Sequence, residues 1–358
     1  MSIGPLLFHP LLKHRAWGGH ALEEMGKHPP TGTVAPFGES WELADLPDTI
    51  QDGRSRIAHG PCAGLTLREA LARHGEEIMG RAALAPGGGF PLLIKFLDAE
   101  KNLSIQVHPS AAYARRHQGA LAKSEAWIVV RARADAAVYR GIDPSLSRED
   151  FAALLDTNRV LDGIVRLPVR AGDCITLPSG ICHALGAGIV AVEVQTPSDT
   201  TFRLWDWGRC DPARSLHRNE ALECLLVGSA QQLDQPAVVH ADSAPTIDTG
   251  TFRTVVLCRT PDFTVEQIST ASSSDLTWLD IVTDGMPVVW VVLEGSICLE
   301  RTGTGTSSKR HAEDRVRAEA FSTLLLPADA SDWKAGIAPG TRFLRVTLPD
   351  RMSRMLAR

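Results

Sequence analysis

The sequence has no Cys-x-x-Cys pair, and its seven cysteines are scattered along 358 residues. The odd count and the lack of close pairs argue against a disulfide framework and against a structural zinc knuckle. Free thiols spread along a chain are typical of a reducing compartment, so we expect a cytoplasmic protein.

Long hydrophobic runs are also absent. No stretch reaches the roughly 18 apolar residues that a transmembrane helix requires. Residues 1–13 contain neither the apolar core nor the small-residue cleavage site of a secretory signal. We therefore expect a protein without a membrane partner.

A surplus of positive charge is missing too. The formal net charge is −5, and the content of 44% hydrophobic and 22% charged residues is that of an ordinary globular protein. These values argue against the basic surface on which nucleic-acid binding depends. A phosphate-bearing substrate would need a local cationic pocket.

Short strands separated by turn residues favour a mainly β fold, a barrel or a sandwich rather than a doubly wound sheet. Apolar runs typical of strands lie at 90–98, 127–130, 189–195 and 288–295. Helical spacing is confined to a few segments, which lie at 66–74, 143–156 and 214–227.

The chain divides near a stretch of poor pattern at about 229–245. We predict a domain over 1–232 that carries the chemistry and a smaller β domain over 240–358. Both parts contain a strand that ends at Gly and a later strand that ends at Pro, which indicates a duplicated barrel. The second copy has no histidine after Pro327, so we expect it to lack metal ligands.

The most informative run extends from Gly172 to His183. It predicts a turn, a short apolar strand and a rigid corner formed by Pro178 and Gly180, followed at once by a histidine. A rigid corner fixes the direction of the His183 imidazole, as a metal ligand requires.

Upstream, Gln106 and His108 are two residues apart, so they lie on one face of one strand. Glu125 begins an apolar strand, where an unpaired carboxylate is costly to bury. Together with His183 they form a ligand set without thiolate, which suits a catalytic Zn²⁺, although Fe²⁺ and Mn²⁺ also accept such ligands. The alternatives are ordinary core histidines and a Glu125 carboxylate that pairs with Lys123.

The spacing from Gly172 to His183 matches the second motif of the cupin superfamily. A longer set of segments resembles the class I mannose-6-phosphate isomerases in their short bacterial form, over roughly residues 5–225. The segments that carry this resemblance are Arg-Ala-Trp-Gly-Gly at 15–19, Gly-Glu-Ser-Trp at 38–41, Lys-Asn-Leu-Ser-Ile-Gln-Val-His-Pro at 101–109, Lys-Ser-Glu-Ala-Trp at 123–127 and Ser-Asp-Thr-Thr-Phe-Arg-Leu at 198–204.

The resemblance implies two cupin-like β-barrels of jelly-roll type, with helices inserted in and flanking the first. It implies one Zn²⁺ per chain, with ligands at Gln106, His108, Glu125 and His183. It places the catalytic arginine at Arg203, and it places Ser104 and Lys123 in the substrate pocket. Ser124 stands where the family has Thr, and Trp205 and Trp207 stand where tyrosines are common, so the accepted sugars stay open.

The implied reaction interconverts mannose 6-phosphate and fructose 6-phosphate through a cis-enediol. Arg203 is always charged, so it suits either the developing negative oxygen or the phosphate, unless it pairs with Asp199 or Asp206. Glu193 is the leading candidate for the base, with Lys123 and a zinc-bound water as competitors. Lys95 either faces the cavity or extends its ammonium to solvent. We expect a structural role for Arg15, Trp17, Glu39 and Trp41.

Two other functions stay open from the sequence. One is an Fe-dependent cupin oxygenase, which would carry His-x-His in place of Gln106-x-His108. The other is a non-catalytic sugar-phosphate-binding cupin, which would lack ligands or the arginine. The expected partner is a small phosphosugar, and the chain is expected to be a monomer or a weak homo-oligomer.

Overall fold

The computed structural model describes residues 3–29, 33, 36–157, 159–209, 211, 214–231, 236–271, 275–302 and 314–350. Strands dominate these residues, which confirms the mainly β class. The described residues form two compact units. The middle unit contains residues 12–40 and 93–239, and the terminal unit contains residues 3–11, 41–92 and 240–350.

In the described residues, the middle unit is built on one sheet of seven strands and one of five. The larger sheet consists of β2 (Leu11–Gly19), β3 (Phe37–Leu43), β4 (Leu93–Ala99), β6 (Glu125–Ala132), β9 (Asp173–Leu177), β11 (Ile189–Gln195) and β13 (Val238–His240), in the spatial order β13-β9-β6-β11-β4-β3-β2. The smaller sheet consists of β5 (Ile105–Val107), β7 (Ala137–Ile142), β8 (Ile164–Pro168), β10 (His183–Leu185) and β12 (Phe202–Trp205), in the order β12-β5-β10-β7-β8.

Apolar side chains from both sheets share one core. Val138 and Leu185 of the smaller sheet pack in the same cluster as Trp127, Ile175 and Ala191 of the larger one. The two sheets therefore face each other as a sandwich. Neither sheet closes on itself among the described residues, so the jelly-roll takes an open form rather than that of a closed barrel.

The helices are short and connect strands. They are α1 (Ala21–Glu24), α2 (Leu67–Met79), α3 (Ala111–Arg116), α4 (Arg148–Asp156) and α5 (Arg218–Cys224). Capping boxes start α2 at Thr66 and α4 at Ser147, because a hydroxyl and an acidic side chain satisfy the first free amides. In the described part of the chain, none of the helices has the length and apolar character needed to cross a membrane.

The terminal unit has the same two-sheet plan. As counted over the described residues, its larger sheet has seven strands: β1 (Leu6–Leu7), β14 (Thr246–Asp248), β15 (Phe252–Arg259), β16 (Thr264–Thr270), β18 (Val288–Glu294), β21 (Thr323–Leu326) and β23 (Arg342–Thr347). Its smaller sheet has four described strands: β17 (Thr277–Asp280), β19 (Ser296–Arg301), β20 (Arg315–Glu319) and β22 (Trp333–Ile337). Trp290, Trp333 and Phe343 lie in its shared core. Among its described residues, no histidine, cysteine, aspartate or glutamate cluster with metal-ligand geometry occurs.

Residues 41–92 pack with the C-terminal part of the chain. The amide of Arg81 donates to the carbonyl of Gly285, and the amide of Ala328 donates to the carbonyl of Ile78, both over 3.0 Å. This grouping by contacts follows a different line from the predicted domains 1–232 and 240–358. Those domains, divided at the stretch of poor pattern near 229–245, stay a prediction.

Candidate active site

Four polar residues form a row across the smaller sheet of the middle unit. Arg203 of β12 lies opposite Gln106 of β5, Gln106 lies opposite His183 of β10, and His183 lies opposite Arg140 of β7. Directly opposed residues in an antiparallel sheet point to the same face. The sheet register therefore brings the predicted arginine, amide and imidazole side by side.

His108, Glu125 and His183 meet beside this row and are fully buried. Their candidate ligand atoms all lie within 4.8 Å of one another. Oε1 of Glu125 is 3.2 Å from Nε2 of His183, and Oε2 of Glu125 is 3.3 Å from Nε2 of His108. These three side chains can hold one metal ion.

Both imidazoles are oriented by the main chain. Nδ1 of His183 donates to the carbonyl of Ile181 over 2.7 Å, and Nδ1 of His108 donates to the carbonyl of Thr200 over 3.1 Å. A carbonyl can only accept, so each Nδ1 carries the proton and each Nε2 keeps a lone pair. This is the arrangement that orients a histidine for a metal.

The charges of the cluster are set by burial and by Lys123. Burial, with the charge of Lys123, lowers the pKa of His108 to about 3, so its imidazole is neutral at ordinary pH. Burial alone would raise the pKa of Glu125, but the Lys123 ammonium and His108 hold it well below its usual range. Burial would lower the pKa of Lys123, yet the charges of Glu125 and Glu193 raise it.

Several buried polar atoms of the cluster lack a hydrogen bond, which also favours a bound cation. Among the described residues, Nε2 of His108 and both carboxylate oxygens of Glu125 are buried without a hydrogen bond of good geometry, although the ammonium of Lys123 is 2.8 Å from Oε2 of Glu125. Buried polar atoms left in this state are costly. A divalent cation among two Nε2 atoms and a carboxylate would satisfy them.

A polar cavity of about 420 Å³ opens beside the cluster, a size that suits a small ligand. Gln106 and Lys123 line it and connect it to the buried cluster. The charged side chains that line it with them are Arg15, Glu39, Lys95, Glu193, Asp199, Arg203, Asp211 and Arg214.

Comparisons with known proteins identify relatives of this chain. The sequence model of "Phosphomannose isomerase type I, catalytic domain" matches residues 6–132. The mannose-6-phosphate isomerase ManA of Bacillus subtilis is 37% identical over 233 residues, which cover 64% of this chain and 70% of the relative. The mannose-6-phosphate isomerase of Streptococcus mutans is 34% identical over 265 residues, which cover 73% of this chain and 77% of the relative.

The chain belongs to the type I phosphomannose isomerase family. A crystal structure of the mannose 6-phosphate isomerase from Bacillus subtilis superimposes with a TM-score of 0.80 at 25% identity, over 96% of this chain and 100% of that one. The predicted cupin-like fold and the predicted enzyme class, an aldose–ketose isomerase, are thereby confirmed. A non-catalytic cupin and a cupin oxygenase lose their support.

In this phosphomannose isomerase, Arg203 is one of the residues that line the cavity. Asp206, one of its two expected partners, instead binds Arg209 and Arg214. Among the described residues no ion pair involves the Arg203 side chain, and its buried Nε lacks a hydrogen bond. The structural pairing considered from the sequence does not form.

Glu193, the predicted base, lines the same cavity and has two close neighbours. Its Oε1 is 2.8 Å from Nζ of Lys95, and its Oε2 accepts a hydrogen bond of 2.9 Å from Nε1 of Trp127. Lys95 therefore faces the cavity, because this ion pair directs its ammonium inward. Pattern reasoning alone did not reveal that pairing, although β4 and β11 place Lys95 and Glu193 directly opposite each other.

Ser104 and the Arg15–Glu39 pair complete the cavity wall. The Ser104 hydroxyl donates to Oε1 of Gln106 over 3.2 Å, so it is tied to the candidate ligand. Arg15 binds Glu39 through two hydrogen bonds, of 2.8 Å and 3.0 Å. We expected Arg15 to be structural, and the structure shows that it also lines the cavity.

The two tryptophans that replace common tyrosines lie behind the cavity wall. Nε1 of Trp207 donates to the carbonyl of Leu103 over 2.6 Å, and the Trp205 ring lies 4.9 Å from that of Trp207. Neither is among the described residues that line the cavity. Their contacts support the loop that leads into Ser104.

Proposed function

We propose that this enzyme interconverts mannose 6-phosphate and fructose 6-phosphate through a cis-enediol, with one Zn²⁺ per chain. One observation carries the proposal: two buried imidazoles whose Nε2 atoms keep a lone pair and one buried carboxylate converge beside a charged cavity, and Arg203 of that cavity forms no ion pair among the described residues. Family membership supplies the substrate, since the relatives are named for mannose 6-phosphate.

His108, Glu125 and His183 would hold the zinc, and Gln106 would be the fourth ligand. Nε2 of the Gln106 amide lies 3.3 Å from Nε2 of His183, and turning the amide over would direct its oxygen to the cation instead. Bound there, zinc supplies Lewis-acid polarisation of the sugar oxygens. A set of three strong protein ligands and one amide is compatible with a catalytic site.

Arg203 and Lys123 would stabilise negative charge on the substrate. Each presents a cation to the cavity, and the raised pKa of Lys123 keeps its ammonium protonated. An ammonium at Nζ can donate a hydrogen bond to the oxygen on which the enediolate charge develops. Ser104 would contact substrate from the same wall as Gln106.

Glu193 would move the proton between C1 and C2. A carboxylate oxygen can take a proton from one carbon and return it to the neighbouring carbon, provided that it stays close to both. Trp127 and Lys95 fix the Glu193 carboxylate from two directions, which holds it in one position. The protonated Lys123 is less suited to accept a proton, although it remains the competitor.

The test is a coupled assay on mannose 6-phosphate alongside elemental metal analysis. We expect turnover together with close to one zinc per chain, loss of turnover on EDTA treatment and dialysis, and recovery on addition of Zn²⁺. Turnover that survives removal of all metal would contradict the zinc proposal. An active preparation that contains iron or manganese instead would change the metal and leave the isomerase function intact.

The location and the oligomeric state of the enzyme do not follow from the chemistry of the site. A cytoplasmic location and a monomer or weak homo-oligomer stay predictions from the sequence. Light scattering on the purified enzyme measures its mass in solution and therefore its oligomeric state.

A further inference from the structure

The cavity of the middle unit is lined by five cationic side chains, and three of them have a matching anion. Arg15 pairs with Glu39, and Lys95 pairs with Glu193. The third pair is formed by Lys123 and Glu125. The other two are Arg203, for which the described residues show no ion pair, and Arg214, which shares the Asp206 carboxylate with Arg209.

Arg214 belongs to a cluster with one anion for two cations. The buried Asp206 carboxylate contacts Arg209, and it binds Arg214 through Nε at 2.8 Å and Nη2 at 3.1 Å. One carboxylate therefore faces two guanidinium groups, which leaves a formal surplus of one positive charge. Of these two arginines, only Arg214 lines the cavity.

The main chain places Arg214 close to Arg203. The amide of His217 donates to the carbonyl of Arg203 over 2.8 Å, and the amide of Arg203 contacts Nδ1 of His217. The segment that begins at Arg214 therefore runs beside β12. The pKa of Arg203 is lowered by burial and, next, by the nearby charge of Arg214.

Two neighbouring guanidinium groups that are partly buried repel each other, so an anion from solvent is favoured between them. Around Asp206 three guanidinium groups, those of Arg203, Arg209 and Arg214, face one carboxylate, before the cavity carboxylates of Asp199 and Asp211 are counted. A phosphate monoester carries between about 1.5 and 2 negative charges at pH 7. Arg214 also holds its guanidinium in a fixed orientation against Asp206, which is what bidentate recognition of phosphate requires.

Other polar groups on the cavity wall are less suited to the phosphate. The Ser104 hydroxyl proton is directed to Gln106, and the Lys123 ammonium is held by Glu125 next to the metal cluster. Asp199 and Asp211 also line the cavity and oppose an anion. Asp199 is exposed, so water and salt screen its charge.

We propose that Arg214 is the specificity residue for the substrate phosphate and that it grips this group together with Arg203. This inference rests on the proposed function for the identity of the substrate. Asp206 is the positioning residue, since it orients the Arg214 guanidinium toward the cavity. The sugar carbons then lie toward Gln106 and Lys123, where the metal cluster meets the cavity.

The experiment compares Arg214→Gln with Arg209→Gln in the zinc-loaded enzyme. Both changes remove one arginine from Asp206, but only the first removes a cation from the cavity. We expect Arg214→Gln to raise KM for mannose 6-phosphate and Kd for inorganic phosphate, measured by calorimetry, by roughly 10- to 100-fold with zinc content retained. We expect Arg209→Gln to stay within about threefold of the parent in both constants.

Three results would overturn the inference: equal effects of the two variants, an Arg214→Gln enzyme with unchanged KM, or one that loses only kcat. If Arg214→Gln does not fold, Arg214→Lys decides, because lysine keeps the charge and loses the fork. We then expect a smaller rise in KM with kcat kept, and an unchanged KM would count against Arg214.

The outcome also separates this inference from the proposed function. A parent enzyme without turnover on mannose 6-phosphate, whose binding of inorganic phosphate is still lost in Arg214→Gln, would keep the phosphate subsite and reject the reaction. A parent enzyme with full turnover and an Arg214→Gln variant that matches Arg209→Gln would keep the reaction and reject the subsite.

Discussion

Arg203 and Gln106 lie directly opposite each other on two antiparallel strands, so a cavity arginine and a candidate metal ligand share one row of the sheet. The two residues are neighbours, but they have different expected tasks. Substitutions in this row can therefore separate loss of metal from loss of chemistry.

Replacing Arg203 with Ala is expected to reduce kcat/KM by roughly 100- to 1,000-fold, because one charge-stabilising donor is lost. The zinc content should stay close to that of the parent, since Arg203 is not a ligand. Steady-state kinetics and elemental analysis on the same preparation measure both quantities. A variant that loses its zinc would show that Arg203 supports the metal site instead.

Replacing Gln106 with Ala should weaken zinc binding by at least roughly tenfold, because it removes the fourth ligand. Ser104→Ala is the matched control, since it removes only the hydrogen bond to Oε1 of Gln106, and we expect a smaller loss. Competition with a chromogenic chelator gives both affinities. Equal zinc affinity in Gln106→Ala and the parent would remove Gln106 from the ligand set.

The two candidate bases can be distinguished by solvent exchange. Glu193→Gln should nearly abolish deuterium incorporation from heavy water into the sugar, with a loss of turnover of roughly 100- to 10,000-fold. Lys123→Met should reduce turnover but leave measurable exchange, since the carboxylate can still take the proton. Mass spectrometry of the sugar reports the exchange, and the reverse pattern would identify Lys123 as the base.

Acid should destabilise the chelator-treated protein through His108. Its imidazole has a pKa of about 3 when folded, against an ordinary value of 6.5, so below pH 6.5 the unfolded chain binds a proton that the folded chain does not. Stability is therefore lost as the pH falls from 6.5 toward 3. By linkage, the expected loss from pH 8 to pH 5 is about 2 kcal/mol.

The control for this pH effect is His108→Gln, which cannot titrate. Urea unfolding at pH 8 and pH 5 measures the free energy of unfolding of both proteins. The depressed pKa of Glu125 contributes only at lower pH, below its ordinary value of 4.5, so it does not enter this comparison. A pH effect of equal size in the two proteins would argue against a buried neutral imidazole at this position.

The ligand cluster was predictable because its information is local. The Pro178–Gly180 corner and the two-residue spacing of Gln106 and His108 fix the direction of each side chain within a few residues. The sequence order of the segments then indicated the family. His108, Glu125 and His183 accordingly meet as expected.

The partner of Glu193, the leading candidate for the base, was not predictable, because the pairing depends on sheet register. Lys95 and Glu193 are almost 100 residues apart in the chain, and only the pairing of β4 with β11 places them opposite each other. The start of the last predicted helix, at 214–227, was also wrong, because it depends on a tertiary contact that the local pattern does not contain. In the structure α5 covers Arg218–Cys224, and Arg214 is extended toward Asp206 by a tertiary ion pair.

The open form of the two sheets also escaped prediction. Alternating apolar strands indicate that a β layer has a buried face, but they do not state whether the layer closes. The grouping of residues 41–92 with the C-terminal part of the chain depends on contacts such as Arg81 with Gly285. No periodic pattern encodes such long-range contacts.

The acceptors that fix the two imidazoles belong to the backbone at Ile181 and Thr200. Substituting the side chain of Ile181 or Thr200 leaves the backbone carbonyl in place. We therefore expect such substitutions to leave the tautomers of His183 and His108 unchanged. The side chains at positions 181 and 200 can thus vary while the orientation of the two imidazoles persists. Sequence change in the surrounding residues would alter which sugar is accepted sooner than it would disrupt the candidate metal site.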